Sequence, residues 1–150
     1  RLRSTRRTGW VLGLFATSIG VTVVAANKLA FVAVVRGDSM SPTFNPSDRR
    51  ISDVVLVKRR NIDQLGSGDI IAFESLKHPG TFMVKRIVGV EGDQIYGDEN
   101  TLIAKNCFWV AGDSHTSIKS HEIGQVHKNS ILGKVSMIIW PPSRWRILTE

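Results

Sequence analysis

The sequence predicts a mainly β, antiparallel domain preceded by one N-terminal transmembrane helix. Three observations carry that prediction. Residues Gly9 to Ala26 contain no charged side chain. Beyond Asn27 the apolar residues fall into short runs divided by turn signals at roughly 8–12-residue spacing, the mark of an all-β chain. At 150 residues the chain is long enough for one domain with its own core and short for two.

The expected organisation is a basic tail over residues 1–8, a membrane helix over 9–26 and a β domain over 29–150. Net charge is +7, and Arg1, Arg3, Arg6 and Arg7 contribute four of the positive charges. The basic character is therefore largely a property of the tail, which argues against a nucleic-acid-binding face. As a helix, residues 9–26 would extend about 27 Å, close to the roughly 30 Å of bilayer hydrocarbon. Trp10 stands where an interfacial anchor belongs. Two other readings remain open. One is a cleaved targeting peptide, suggested by the Arg-rich, acid-free start and by Val24-Ala25-Ala26 as a cleavage site. The other is a buried core helix. If the helix spans, the Arg cluster holds its own side and everything after Asn27 lies across the membrane.

Strands are expected at Leu29–Val35, Ile51–Lys58, Asp69–Phe73 and Thr81–Val90. Shorter ones are expected at Gln94–Tyr96, Thr101–Ile103 and Phe108–Val110, and a long last strand at Ile131–Trp140 is stopped by Pro141-Pro142. Polar turns fill Asn45–Arg50 and Arg59–Ser67. His78-Pro79-Gly80 and Glu91-Gly92-Asp93 bracket the Thr81 strand, and a long polar loop runs from Gly112 to Gly124. The single cysteine, Cys107, excludes an internal disulfide and offers no CxxC metal pair. The four histidines, 78, 115, 121 and 127, lie in turns and loops with nothing clustered around them. No metal and no cofactor is expected.

One stretch carries chemistry. The apolar run Phe31–Val35 ends at Gly37, and Ser39 follows in Gly37-Asp38-Ser39-Met40-Ser41-Pro42-Thr43-Phe44. A strand ending this way delivers one hydroxyl to a fixed place. A serine becomes a nucleophile only when something takes its proton. No histidine stands in a triad setting, and the second glycine of a nucleophile elbow is missing. The remaining base chemistry is a neutral lysine. Lys85 lies inside the apolar run Phe82-Met83-Val84-Lys85-Arg86-Ile87-Val88. Strand alternation puts Met83, Lys85 and Ile87 on one face and Val84, Arg86 and Val88 on the other. If one face is core, Lys85 or Arg86 is held there. Arginine keeps its charge, whereas a desolvated lysine can lose its proton far below its ordinary range near 10.4.

The order of blocks resembles the type I signal peptidase family: an apolar N-terminal run, Gly37-Asp38-Ser39-Met40-Ser41-Pro42-Thr43-Phe44, Gly68-Asp69-Ile70-Ile71-Ala72-Phe73, Lys85-Arg86-Ile87-Val88-Gly89-Val90-Glu91-Gly92-Asp93, then Gly112-Asp113. The resemblance covers nearly the whole chain and is strongest to the family's mitochondrial members. It implies a coiled, barrel-like β domain, a Ser39 nucleophile and a Lys85 general base. It also implies removal of sorting peptides from precursor proteins at the inner membrane, with the catalytic domain facing the intermembrane space. The implied partners are those peptides, the lipid bilayer and a homologous inner membrane protease subunit, subunit 1, in a hetero-oligomer. Ser117 matches the serine that hydrogen-bonds the family's catalytic lysine, with Ser120 as the second choice. Substrate would add as a strand between residues 34–37 and 81–84, with Val35, Gly37, Phe82 and Val84 as contacts. Gly37 brings no hydroxyl to an oxyanion hole, which leaves that role to the Ser39 N–H.

One block departs from the family. The loop Gly112-Asp113-Ser114-His115-Thr116-Ser117-Ile118-Lys119-Ser120-His121 is one residue short, and Lys119 stands where an aspartate is expected. A salt link from Lys119 to Glu122 would compensate. Two alternatives stay open. A self-cleaving repressor of the LexA type shares the Ser-Lys chemistry but needs an upstream DNA-binding domain, and an apolar run occupies that place. A catalytically silent, membrane-anchored subunit supporting a partner protease is the other.

Overall fold

The structure is a computed structural model, and it describes residues 29–46, 51–59, 62–95, 101–114 and 124–148. The ten strands among the described residues are β1 Ala30–Val34, β2 Val54–Lys58, β3 Ile70–Glu74, β4 Phe82–Gly89, β5 Gln94–Ile95, β6 Thr101–Leu102, β7 Cys107–Ala111, β8 Gly124–His127, β9 Ile131–Trp140 and β10 Arg146–Ile147. Eight of them form one antiparallel sheet in the order β1-β2-β9-β3-β4-β7-β8, with β10 paired to β9. β5 and β6 make a separate two-stranded ribbon. The mainly antiparallel β domain expected from the sequence is present. No helix among the described residues is long and apolar enough to cross a membrane, and the expected helix over 9–26 lies outside them.

The sheet coils. β3 shows why: Ile70, Ile71, Ala72 and Phe73 are all buried, both faces of one strand. Ile70 and Ala72 join a cluster with Val35, Met40, Phe44, Val55, Val57, Val135 and Ile138. Ile71 and Phe73 join another with Ile87, Phe108, Val110, Val126 and Ile131. A strand with cover on each side reads as a continuous apolar run rather than an alternating one. The cover comes from the two wings of the same sheet, β1-β2 on one side and β7-β8 on the other. β9 joins them, its first half pairing β3 and its second half lying beside β10, with β2 along its opposite edge. Register shifts within the β2-β9, β3-β9 and β4-β7 ladders supply local bends.

Two strands escape the sequence reading. β8, Gly-Gln-Val-His, falls where the long polar loop was expected to give way to a connector. It has one strongly apolar residue, and its pairing with β7 makes it a strand. β10 holds two exposed residues and is defined only by Ile138 and Met137 opposite.

A buried ion pair ties the segment after β9 to the segment before β2. Asp53, just before β2, is fully buried, and Arg144 reaches both its carboxylate oxygens at 2.9 Å. The same guanidinium donates to the Thr43 carbonyl at 2.9 Å. Removing one member of such a pair strands the other charge away from water. Arg144→Met is expected to lower unfolding free energy by about 3 kcal/mol. The check is a lower urea midpoint at unchanged m value.

Candidate active site

Ser39 rides on a turn fixed from several directions. Phe44 N–H donates to the Met40 carbonyl at 2.8 Å, and Ser41 N–H to Asp38 at 2.9 Å. The side chains of Met40 and Phe44, 2% and 0% exposed, plug this turn into the first apolar cluster. Ser114 N–H reaches the Ser39 carbonyl at 3.2 Å. Gly37 takes φ +78°, a left-handed value that favours glycine, and it turns the chain out of the β1 direction into the Ser39 turn.

Lys85 comes to the same place from the middle of β4. It pairs across to Ile71 on β3, shares a face with Ile87, and is only 6% exposed. Strand alternation thus resolves the choice posed by the sequence, with Lys85 on the covered face and Arg86 on the other. Gly112 completes the junction. A Cβ built there would collide with the Ser39 carbonyl oxygen and stand 3.0 Å from Lys85 Nζ. The β4 amine, the Ser39 main chain and the Gly112 backbone therefore meet at one point, and the absence of a side chain at 112 lets them do so. Among the described residues no hydrogen bond joins Ser39 Oγ to Lys85 Nζ. In enzymes without substrate such bonds are often long and tighten in the complex.

The electrostatics suit a neutral amine. Burial pushes the Lys85 amine below its ordinary range, and the charge of Asp113 opposes that shift without cancelling it. Asp113 is itself held in place. Arg86 grips both its oxygens, Nε at 2.9 Å and Nη2 at 2.7 Å, a bidentate fork. Burial alone would raise the Asp113 carboxyl. Hydrogen bonds from Arg86 and Thr43, with the charges of Arg86 and Lys85, bring it below the usual carboxylate range. Arg86 also donates to the Gly68 carbonyl at 2.7 Å and approaches Thr43 Oγ1 at 3.5 Å. The Arg86–Asp113 pair was not found in the sequence. Gly112-Asp113 stood out there only as a block, and nothing local says that its carboxylate meets an arginine on β4.

The two strands that carry Ser39 and Lys85 each have an unpaired edge. On β1, Val35 N–H goes to the Asp53 carbonyl at 2.9 Å, and Leu29 accepts from Arg59 at 2.8 Å. By alternation, Val34 and Arg36 turn their main-chain groups to the other edge, which no strand among the described residues pairs. On β4, Ile87 N–H goes to Asp69 at 2.8 Å and Thr81 C=O accepts from Ser75 at 2.9 Å, both toward β3. Phe82 and Val84 therefore face away from β3, and β7 begins to pair only at Arg86. Val84 packs against the cluster that contains Val35. Of the sequence-based substrate contacts, Phe82 and Val84 lie on this open edge. Val35 and Gly37 do not present their carbonyls there, since both accept from Asn45 Nδ2, at 2.8 and 3.0 Å. Ser117 and Ser120 lie outside the described residues.

The family model "Signal peptidase, peptidase S26" matches residues 7–104, a span that includes Ser39 and Lys85. The chain is 37% identical over 139 residues to mitochondrial inner membrane protease subunit 2 of Danio rerio, covering 88% of this chain and 76% of that one. Against the subunit 2 of Saccharomyces cerevisiae the identity is 32% over 137 residues, covering 85% and 77%. It is 28% identical over 156 aligned positions to mitochondrial inner membrane protease subunit 1 of Xenopus tropicalis, covering 97% and 92%. The chain belongs to the signal peptidase family, peptidase S26, as a serine peptidase of the signal-peptidase type akin to the mitochondrial inner membrane proteases.

Proposed function

We propose that this protease is a single-pass endopeptidase of the mitochondrial inner membrane. It uses Ser39 as nucleophile and Lys85 as general base to remove sorting peptides from precursors delivered to the intermembrane space. The observation that carries the reading is the buried Lys85 amine meeting the Ser39 turn at Gly112.

In the first step Lys85 Nζ takes the Ser39 Oγ proton as Oγ bonds to the scissile carbonyl carbon. The carbonyl π electrons move onto oxygen, and the Ser39 N–H stabilises that oxyanion. Lys85 returns the proton to the departing amine as the C–N bond breaks, leaving an ester on Ser39. A water then loses a proton to Lys85, adds to the ester carbonyl and releases the acid, with the proton going back to Ser39 Oγ. The substrate lies extended in the slot between the free edges of β1 and β4. It pairs with the main chain of Val34 and Arg36 on one side and Phe82 and Val84 on the other.

The outer face of the β1-β2-β9-β10 wing supports a position against the bilayer. Val32, Leu56, Met137 and Ile147 stand in register across four strands, and Val34, Val54 and Trp140 form a second row. Val32 and Ile147 are 57% and 66% exposed, and Trp145 beside them is 65% exposed. A contiguous exposed apolar sheet face marks a site of contact with a membrane or another protein. β1 is the first strand after the uncharged segment 9–26, so a membrane helix there would bring this wing to the lipid surface. A homologous subunit 1 is the proposed partner, because subunit 1 of Xenopus tropicalis is itself a relative of this chain.

The deciding experiment is Ser39→Ala in the assembled protease. Cleavage of sorting-peptide substrates falls by about 10⁴-fold or more while assembly with the partner persists. Normal cleavage by that variant makes the chain a supporting subunit instead. Lys85 sets an ascending limb of kcat/KM against pH. Its amine must be neutral to act, and burial lowers its pKa, so the limb lies below the 10.5 of an ordinary lysine. In Asp113→Asn the opposing charge is gone and the limb moves to lower pH, readable in the same profile. Gly112→Ala removes no reactive group yet displaces the Ser39 turn, and kcat drops by about 10²-fold in single-turnover assays.

A further inference from the structure

We propose that Asn45 is a positioning residue for the nucleophile, clamping the strand end that leads into Ser39. This rests on Ser39 being the nucleophile.

Asn45 follows the Ser39 turn and is half-buried, with φ of 44°, one of two described non-glycine residues in the left-handed region. That conformation points its side chain back across the turn. Its Nδ2 donates both protons, to the Val35 carbonyl at 2.8 Å and the Gly37 carbonyl at 3.0 Å. Its Oδ1 accepts from Asp53 N–H at 2.7 Å, and its own N–H donates to Asp53 Oδ2 at 2.8 Å. Asp53 is fully buried and fixed in turn by the Arg144 fork. Every polar group of the Asn45 amide is spent, and all of it on the main chain.

The placement of the two carbonyls gives the clamp its consequence. Gly37 sits at φ +78°, and a glycine there is otherwise free to swing. Holding its carbonyl fixes the peptide plane that joins it to Asp38, one plane before the Ser39 N–H. Holding the Val35 carbonyl on the β2 side leaves Arg36 facing the substrate slot. On the far side of Ser39, Ser114 N–H holds the Ser39 carbonyl. Asn45 and Ser114 together bracket the nucleophile, and Asn45 touches neither substrate nor reacting atoms.

Asn45→Gly isolates the effect, because glycine accepts a left-handed φ and only the amide is lost. The full-length protease with its partner subunit is assayed on a sorting-signal peptide, beside Asn106→Gly as the control. Asn106 is the other left-handed asparagine, at φ 59°, on the loop before β7. Active sites are counted with a serine-acylating inhibitor, and kcat is expressed per active site. Asn45→Gly is expected to lower kcat by about 10- to 100-fold with KM within about twofold. The ascending pH limb stays in place, since the surroundings of Lys85 are unchanged. Asn106→Gly keeps the wild-type kcat. Wild-type kcat per active site in Asn45→Gly overturns the clamp, as does a loss fully explained by a smaller folded fraction. Ser39→Ala in the same series separates the two ideas. If it still cleaves, the nucleophile assignment and the clamp fall together. If it is silent while Asn45→Gly matches wild type, only the clamp fails.

Discussion

The desolvation of one amine is the constraint around which this molecule is arranged. Lys85 can serve as a base only if the fold keeps water from it, and a lysine at 6% exposure in the middle of a sheet needs cover on its own face. A flat sheet with one solvated side could not give that. The coil does, because the β7-β8 wing folds over the face of β3 and β4 that carries Ile71, Phe73, Lys85 and Ile87. The arrangement that buries the apolar residues of β3 on both sides is thus the one that strips the lysine of solvent. Core packing and the proposed base chemistry draw on the same geometry.

Charge placement refines the point. Lys85 and Arg86 are adjacent in sequence and opposite in orientation, and Asp113 influences both. The carboxylate accepts hydrogen bonds from Arg86 and Thr43 and exerts only a longer-range field on the lysine. Had the fork gone to Lys85, a direct ion pair would hold the amine protonated. By satisfying Asp113 with a side chain that cannot be deprotonated, the site keeps its negative charge from fixing the proton where the proposed chemistry needs it absent.

Much of this was legible in the residues. The short runs with regular turn signals predicted the antiparallel β class. The alternation of Phe82–Val88 narrowed the buried cation to two residues, and the step from β1 through Gly37 located the serine. What escaped was whatever depends on distant parts of the chain. β8 is a strand because β7 lies beside it, not because Gly-Gln-Val-His favours extension. The Asp113–Arg86 fork spans 27 residues, and the Asp53–Arg144 pair spans 91. Asn45 looked like an ordinary turn residue, and its role follows only from where Val35, Gly37 and Asp53 come to lie. Val35 and Gly37 were expected among the substrate contacts, and what the sequence could not show is that their carbonyls accept from Asn45 while the pairing register turns Val34 and Arg36 to the outer edge.

The two free edges have a final implication. An unpaired strand edge is a template for any other extended chain, and long exposed ones promote aggregation. Here, among the described residues, Val34 and Arg36 at one strand edge and Phe82 and Val84 at another leave main-chain groups without a strand partner. In the proposed binding mode a single extended segment satisfies both edges at once. On that reading the enzyme holds adhesive backbone in readiness for a client.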